Sequence, residues 1–533
     1  MQTISHFFKL TKAELKLWFS AFVALCLCFI PFFFNFIWGN HDWMPLISDN
    51  PLYGGLIEGR YSQYILLNLL LMGKILPILN ILLGFLLYTL ALTLLNTRFF
   101  KFSNHKLSVL FLIAAATLPY MTEILYFQFI VFSQLSWTLV ITLSLLAAQK
   151  SLSSPHFIIY MLLSAILLGL TVGGYPASIN LFTTAGILWI IKEAKQDLSL
   201  KKFLHICLPY VISIIIALSS LYFVYNWLQN HHLMMKLYNT QAASLNTLLP
   251  KIFPTISISI KSIIQPLPFL GLSLKLIIVL IFALFIKKSL SAYIKYQKIV
   301  CLGLLCLLLV ALKFSTWLIN ENPEEFFSIN DPAGFMIRAD FYAIPCFILF
   351  ALNTICINAP KLTKNLTYIL ALFLIFTNLN NNLSFTKTSL LGFKAETLLQ
   401  NRINQRIQEN SSYNPDLYYT IVQTGDLPLR ERYYKKQPLE KYGYYTLKTA
   451  YSRFWIPAEY YNFYEPIDFV QGGGAVPPKD ITPEMIDFVK YKVSRWPSPN
   501  AIYLDNKYGI VVLTPQGKNM LTKQFQQIES SNK

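Results

Sequence analysis

Charge is scarce in this chain. Asp, Glu, Lys and Arg together make up 13% of the 533 residues, against roughly 25% in an ordinary soluble domain. Hydrophobic residues make up 55% and the mean hydropathy is +0.47. A soluble globular fold is excluded on those totals. Acidic residues are the scarcer sign, 26 against 44 basic ones, which leaves a formal charge of +18. No basic cluster interleaved with stacking aromatics sits in a soluble module, so nucleic-acid binding loses support. Glycine-rich phosphate cradles of the GxGxxG and GxxxxGK[ST] kinds are missing, and so is a GxSxG elbow. Nucleotide-driven pumping and nucleotide-sugar chemistry of the soluble type lose support with them. Cysteine is sparse: Cys26, Cys28, Cys207, Cys301, Cys306, Cys346 and Cys356 all lie in apolar runs, without His partners at metal-site spacing. They read as small buried hydrophobes. A cleavable leader is also lacking. Residues 17–38 are long enough to span and carry no small-residue cleavage site, so they read as a signal anchor.

What is present is a series of long apolar runs. A span needs about 20 apolar residues, and about eleven candidates emerge by that measure: near 17–38, 75–97, 107–121, 129–148, 157–173, 177–191, 204–228, 264–286, 299–319, 339–358 and 365–380. Lys275 falls inside one of them as drawn, and Lys313 lies toward the end of another, where it can snorkel. Lys and Arg concentrate in alternate loops, at Lys9 to Lys16, Arg98 to Lys106, Lys150, Lys192 to Lys202, Lys287 to Lys298, and Lys361 with Lys364. The positive-inside rule then places the amino terminus in the cytoplasm. With an odd number of spans, everything after about Asn380 lies on the far side.

The composition changes there. Apolar runs shorten, and Tyr, Pro, Asn and charges increase. Residues 387–410 have the pattern of a helix, and LYYTIVQTG, AIYLDN and YGIVVLTP have that of strands. The fold expected is therefore mostly α. It comprises a polytopic membrane helix bundle over 1–380 and a small extracytoplasmic α/β domain over 381–533.

The far-side loops hold the polar groups that could do chemistry. The first, WGNHDWMPLISDNPLYGGLIEGRYSQY, carries Asp42 between His41 and Trp43, and then Arg60 and Tyr61. It continues into SQYILLNLLLMGK, which reads as a helix lying at the interface. Asp42 can be a helix-end residue meeting water, with tryptophans as interface anchors. Alternatively it can be a functional carboxylate held at the protein interior. An arginine on the same loop favours the second, because guanidinium is suited to holding phosphate while a carboxylate can act as base. Glu123 in the second loop is either solvated or a second carboxylate for metal coordination or acceptor activation. His231 and His232 are adjacent and share no face, which makes them poor metal ligands. In the fifth loop Glu324 and Glu325 read as solvated. Arg338 is either a snorkelling residue or a second phosphate ligand.

A single spanning helix, a loop with NHDW, then GGLIEGRYSQY, an interfacial helix and, further on, GGYPASINLF resemble the serotype-converting O-antigen glucosyltransferases of the GtrII type. The likeness covers the membrane half. Tyr61 stands where that family is expected to have Trp, which keeps an amphipathic aromatic. The resemblance implies a GT-C fold, a membrane glycosyltransferase whose first outer loop bears the catalytic Asp and whose sugar comes from a polyprenyl-phosphate donor. Its acceptor would be a lipopolysaccharide O-antigen or related glycan at the periplasmic face of the cell inner membrane. Carried over by position, Asp42 is the catalytic carboxylate, Arg60 binds the donor phosphate and Tyr175 lines the site. The residues' own chemistry adds Glu123 as a second catalytic carboxylate, Arg338 as a second donor-phosphate ligand, and His41, Trp43 and Tyr61 as substrate-lining groups. No metal site is assigned, although Asp42 with Glu123 leaves a divalent ion open.

Three other readings stand beside this one. One is a different lipid-linked-sugar enzyme: an O-antigen polymerase or ligase, or a transferase acting on lipid A or protein. Another is a flippase, which would need charged or broken segments at the midplane. The third is a structural or scaffolding protein whose outer domain binds a partner.

Overall fold

The computed structural model describes residues 9–34, 60–72, 76–102, 105–125, 128–193, 200–233, 248–264, 272–293, 297–318, 334–417, 419–424, 467–470, 481–513 and part of 518–526. These residues form two compact units, one ending at Phe385 and the other beginning at Thr386. The first unit is helical: α1 (Lys12–Cys28), α2 (Tyr61–Leu71), α3 (Pro77–Leu94), α4 (His105–Ala116), α5 (Gln128–Ser151), α6 (Phe157–Gly174), α7 (Ile179–Glu193), α8 (Leu200–Asn230), α9 (Ile252–Ile264), α10 (Leu272–Ser291), α11 (Gln297–Leu312), α12 (Phe314–Leu318), α13 (Gly334–Cys356) and the first part of α14 (Lys361–Gln408).

Among the described residues, six helices are long and apolar enough to cross a membrane: Ile78–Phe99, Val131–Ser151, Phe157–Gly174, Lys201–Asn230, Arg338–Cys356 and Lys361–Lys387. The chain is thus a helical, apolar bundle of the multi-pass membrane kind. All eleven apolar runs read from the sequence overlap a helix. The other five, in α1, α4, α7, α10 and α11, fall short of that measure in length or carry too much charge. Helix α10 begins at Leu272, so Lys275 lies in its first turn and not mid-span.

The Arg338–Cys356 stretch is buried from Ala339 onward and forms the centre of the first unit. Helices α4, α7 and α10 pack around it. The Lys201–Asn230 and Lys361–Lys387 stretches are mostly exposed, with apolar side chains such as Phe223 and Phe376 on the surface. Small and hydroxyl residues let neighbouring helices approach and bond, as expected where the hydrophobic effect does not drive helix pairing. Ser144 Oγ on α5 donates to the Ser164 carbonyl on α6 at 2.7 Å, and Ser213 Oγ on α8 reaches Ser164 Oγ at 3.0 Å.

Helix α1 starts at a capping box. Glu14 N donates to Thr11 Oγ1 at 3.2 Å and Thr11 N to Glu14 Oε2 at 2.8 Å, satisfying two amide donors that a helix start leaves open. The same carboxylate accepts from Arg98 Nε at 2.8 Å, from Arg98 Nη2 at 3.0 Å and from Thr97 Oγ1 at 3.0 Å. Burial raises the Glu14 pKa, but these bonds outweigh it and bring it down to about 2. Further along, Trp18 Nε1 donates to the Leu86 carbonyl at 2.9 Å. Helix α1 is thereby fixed to the segment 77–99 at two heights.

Helix α4 is short, and the turn after it, Thr117 to Tyr120, is buried. Its open carbonyls are taken by α14. Asn378 Nδ2 donates to Ala114 O at 3.0 Å, and Asn382 Nδ2 to Thr117 O at 2.8 Å. A second interruption lies at Lys313, between α11 and α12. There Asn180 of α7 takes the Ser315 amide on Oδ1 at 2.7 Å and donates to Ser315 Oγ at 3.0 Å, while Thr183 Oγ1 donates to Ala311 O at 3.0 Å. Non-helical backbone at this depth persists only where protein satisfies it.

The second unit is built on a four-stranded sheet of β1 (Tyr419–Thr424), β2 (Ile467–Val470), β3 (Ile502–Leu504) and β4 (Tyr508–Val512), in the order β2-β1-β4-β3. Strand β1 pairs parallel with β2 and β4, and β3 pairs antiparallel with β4. Both faces of the central strands are covered, as parallel pairing requires. Leu399, Ile403 and Ile407 of α14 pack with Ile421 and Val511 on one face. Met485, Val489 and Phe525 pack with Tyr508, Ile510 and Val512 on the other. The three segments read as strands are β1, β3 and β4, and the helix expected over 387–410 is the latter part of α14.

Candidate functional site

Among the described residues of the first unit, charge and aromatic surface meet around Tyr175. Helix α6 ends in Gly173–Gly174, and Tyr175 follows in extended conformation before a single 3₁₀ turn, Pro176–Ser178. The two glycines are there for space. A Cβ on Gly173 would stand 2.2 Å from Tyr61 Cζ, and one on Gly174 would stand 2.3 Å from Trp137 Cε2. Tyr61 of α2 and Trp137 of α5 therefore press directly on the backbone that carries Tyr175.

Two arginines from distant parts of the chain meet at that tyrosine. Arg60, immediately before α2, places Cζ 5.3 Å from the Tyr175 ring centroid. Arg338, in the first turns of α13, places Cζ 5.8 Å from the same centroid and donates from Nη1 to Tyr175 Oη at 2.8 Å. A cation over a tyrosine face is worth roughly 0.5–2 kcal/mol depending on desolvation. Both arginines are half-buried, and Tyr175 is buried. Tyr342, one turn after Arg338, sets the back of the group, its ring 6.2 Å from that of Tyr175 and its hydroxyl donating to the Gln134 carbonyl at 3.0 Å. Tyr225 of α8 is close enough to feel the Arg60 charge.

Of the site residues read from the sequence, the structure brings Arg60, Tyr61, Tyr175 and Arg338 together. His41, Asp42 and Trp43 lie outside the described residues. Glu123 falls in the helical turn Met121–Leu125, and its side chain also lies outside them. Among the described residues no three His, Cys, Asp or Glu side chains are grouped to hold a metal ion.

One expectation is corrected. Lys313 does not snorkel. It is 1% exposed and its Nζ is 2.5 Å from Oδ1 of Asp340, which is 4% exposed. The interruption after Leu312 turns Lys313 inward toward α13, and an ammonium buried there needs a carboxylate within reach. Asp340, two residues beyond Arg338, is accordingly an interior residue and not part of a solvated loop. Sequence reasoning also missed Gln134, Trp137 and Tyr342. The signals were a glutamine and a tryptophan one turn apart inside an apolar run, and a tyrosine four residues after Arg338.

Comparison with known proteins finds no matching family model, no matching characterised sequence and no matching solved structure.

Proposed function

We propose that the chain is a membrane glycosyltransferase that moves one sugar, glucose for preference, from a polyprenyl-phosphate donor to a lipopolysaccharide O-antigen or related cell-surface glycan. The observation that supports this is the meeting of Arg60 and Arg338 on Tyr175. Two guanidinium groups oriented around one ring form a locus of positive charge suited to phosphate, which guanidinium binds through forked donors. In the reaction the acceptor hydroxyl attacks the anomeric carbon. The bond from that carbon to the phosphate oxygen breaks, and polyprenyl phosphate leaves with the electron pair. Arg60 and Arg338 would stabilise the charge that develops on the leaving phosphate. Asp42 is assigned the role of base that takes the acceptor proton. By the same proposal the bundle lies in the cell inner membrane, with the amino terminus cytoplasmic, the second unit periplasmic and a GT-C arrangement of spans.

The test uses purified full-length protein, radiolabelled polyprenyl-phosphate glucose and an O-antigen lipid acceptor. Wild type should transfer label, and Asp42→Asn and Arg338→Gln should each lose at least about a hundredfold in rate, the scale of removing one transition-state contact. Full-rate transfer by both variants would sink the assignment.

The buried Lys313–Asp340 pair beside a helix interruption favours one alternative, a flippase for lipid-linked sugars, since charged and broken segments mark translocation pathways. Transfer by the protein in detergent, where there is no membrane to cross, would exclude pure transport.

A further inference from the structure

Helix α9 is built inside out. Its buried residues are Thr255, Ile258, Ser259, Ser262 and Ile263, so three of the five inward side chains are hydroxyls. Outward it carries Leu249, just before the helix, at 65% exposure, then Phe253 at 80%, Ile260 at 40% and Ile264 at 53%. Steps of four, seven and four residues keep these four on one stripe. A helix lying against water would have the two faces exchanged, because large apolar side chains gain by leaving water.

The inward hydroxyls are used. Ser259 Oγ donates to the Leu309 carbonyl of α11, and Thr255 Oγ1 donates to the Lys251 carbonyl at 2.8 Å. Just ahead of the helix, the Leu248 carbonyl accepts from Trp317 Nε1 of α12 at 2.9 Å. Hydroxyls bonded inward beneath an apolar outer face is the pattern of helices that pair within hydrocarbon. The composition of the loop hides it: residues 229–266 read from the sequence as an outer loop. At 13 residues α9 rises about 20 Å, short of the roughly 30 Å needed to cross. Its bonds to α11 and α12 lie at the end of α11 that adjoins α12, and α12 packs against the turn Pro176–Ser178 that follows Tyr175. That is the side of the bundle on which the arginines sit.

We propose that α9 is sunk in the bilayer leaflet on the arginine side, with Leu249, Phe253, Ile260 and Ile264 against lipid hydrocarbon. Two observations favour lipid over a protein partner. The helices on which α9 packs carry the same kind of surface, exposing Leu276 and Leu280 on α10 and Leu302 and Leu307 on α11. Lys261 is exposed about a quarter-turn from Ile260, where its four-carbon stem can lie along the apolar surface and carry the ammonium to lipid phosphates. The inference stands whether or not the chain transfers a sugar.

The experiment uses the full-length protein with its cysteines replaced and one nitroxide-labelled cysteine, Phe253→Cys or Ile260→Cys, in vesicles of phosphatidylethanolamine and phosphatidylglycerol. Collision of the label is measured with oxygen, which concentrates in hydrocarbon, and with a nickel chelate, which stays in water. Ile166→Cys, exposed on the span Phe157–Gly174, gives the lipid reference. Ser412→Cys, exposed in the second unit, gives the aqueous one. Both α9 labels should match Ile166, with frequent oxygen and rare nickel collisions. Nickel collisions at the level of Ser412 would place α9 in water and overturn the proposal. Few collisions with either probe would place protein over the stripe, a second copy or another part of this chain, and would overturn it equally. The two substituted side chains point outward, so either label can be read without loss of packing.

Discussion

Tyr175 carries two separable contributions, a ring and a hydroxyl. Tyr175→Phe keeps the face that both guanidinium groups approach and removes the oxygen that accepts from Arg338 at 2.8 Å. A hydrogen bond to a charged donor is worth about 1.5–3 kcal/mol. The variant should therefore raise the donor KM by roughly tenfold or more in an initial-rate assay, with folding intact. Gly174→Ala is the opposite kind of change. Its Cβ would overlap the Trp137 ring, so it should lose about 1–3 kcal/mol through overpacking, read as a lower unfolding temperature in detergent. The arginines and Tyr175 were legible in the sequence because charge and glycine-flanked aromatics stand out beside apolar runs. Gln134 and Trp137 were not, because hydropathy over a span averages them away and nothing in the run says which face turns inward.

Among elements, α1 and the segment 77–99 are locked by Glu14 and Arg98. The Glu14 carboxylate is held near a pKa of about 2, below the ordinary 4.5. A depressed carboxylate stabilises the fold fully above its unfolded value and loses that contribution as pH falls from about 4.5 toward 2. Wild type should thus lose stability across that window, and Glu14→Gln should start lower and fall less, in thermal unfolding measured at each pH. A second lock joins α11 to α13. Removing one member, as in Lys313→Met, should cost about 3–5 kcal/mol by leaving Asp340 buried and uncompensated, whereas Lys313→Met with Asp340→Leu should cost much less. The eleven apolar runs were legible as helices, because about 20 apolar residues have few alternatives in lipid, whereas α9 (Ile252–Ile264) falls in a stretch that reads as an outer loop. The break at Lys313 was not, because its cause is tertiary: Asn180 and Thr183 on α7 accept the interruption. In the second unit β1, β3 and β4 were legible from alternation, and β2, four residues long, was missed.

At the scale of the whole molecule the proposal fixes which side of the membrane each part meets. Single cysteines on a cysteine-free background test it with a membrane-impermeant maleimide on intact cells. Ser412→Cys, just after α14, should label from outside. Ser153→Cys, between α5 and α6, should label only after permeabilisation. The reverse pattern would invert the bundle and move the arginine pair to the cytoplasmic face. The alternation of basic loops made an orientation legible, since it depends on composition alone. The convergence of residues 60, 175 and 338 was expected only from the chemistry and the resemblance, not from the pattern of the chain, since it depends on how three separate helix ends are packed.

The early end of α4 bears on how a substrate arrives. Its 12 residues rise about 18 Å, well short of the roughly 30 Å of hydrocarbon. The turn that follows is buried, and Tyr120 within it is close enough to Asp340 to feel its charge. By the proposed placement in the bilayer, the chain leaves helix below the level where water begins, at the end of α13 that carries Arg338. A tail-anchored donor would reach such a depth sideways, by diffusion within the leaflet. The velocity should then follow the donor's mole fraction among the lipids, so that diluting the vesicles with buffer leaves the rate per protein unchanged and diluting the donor with inert lipid lowers it.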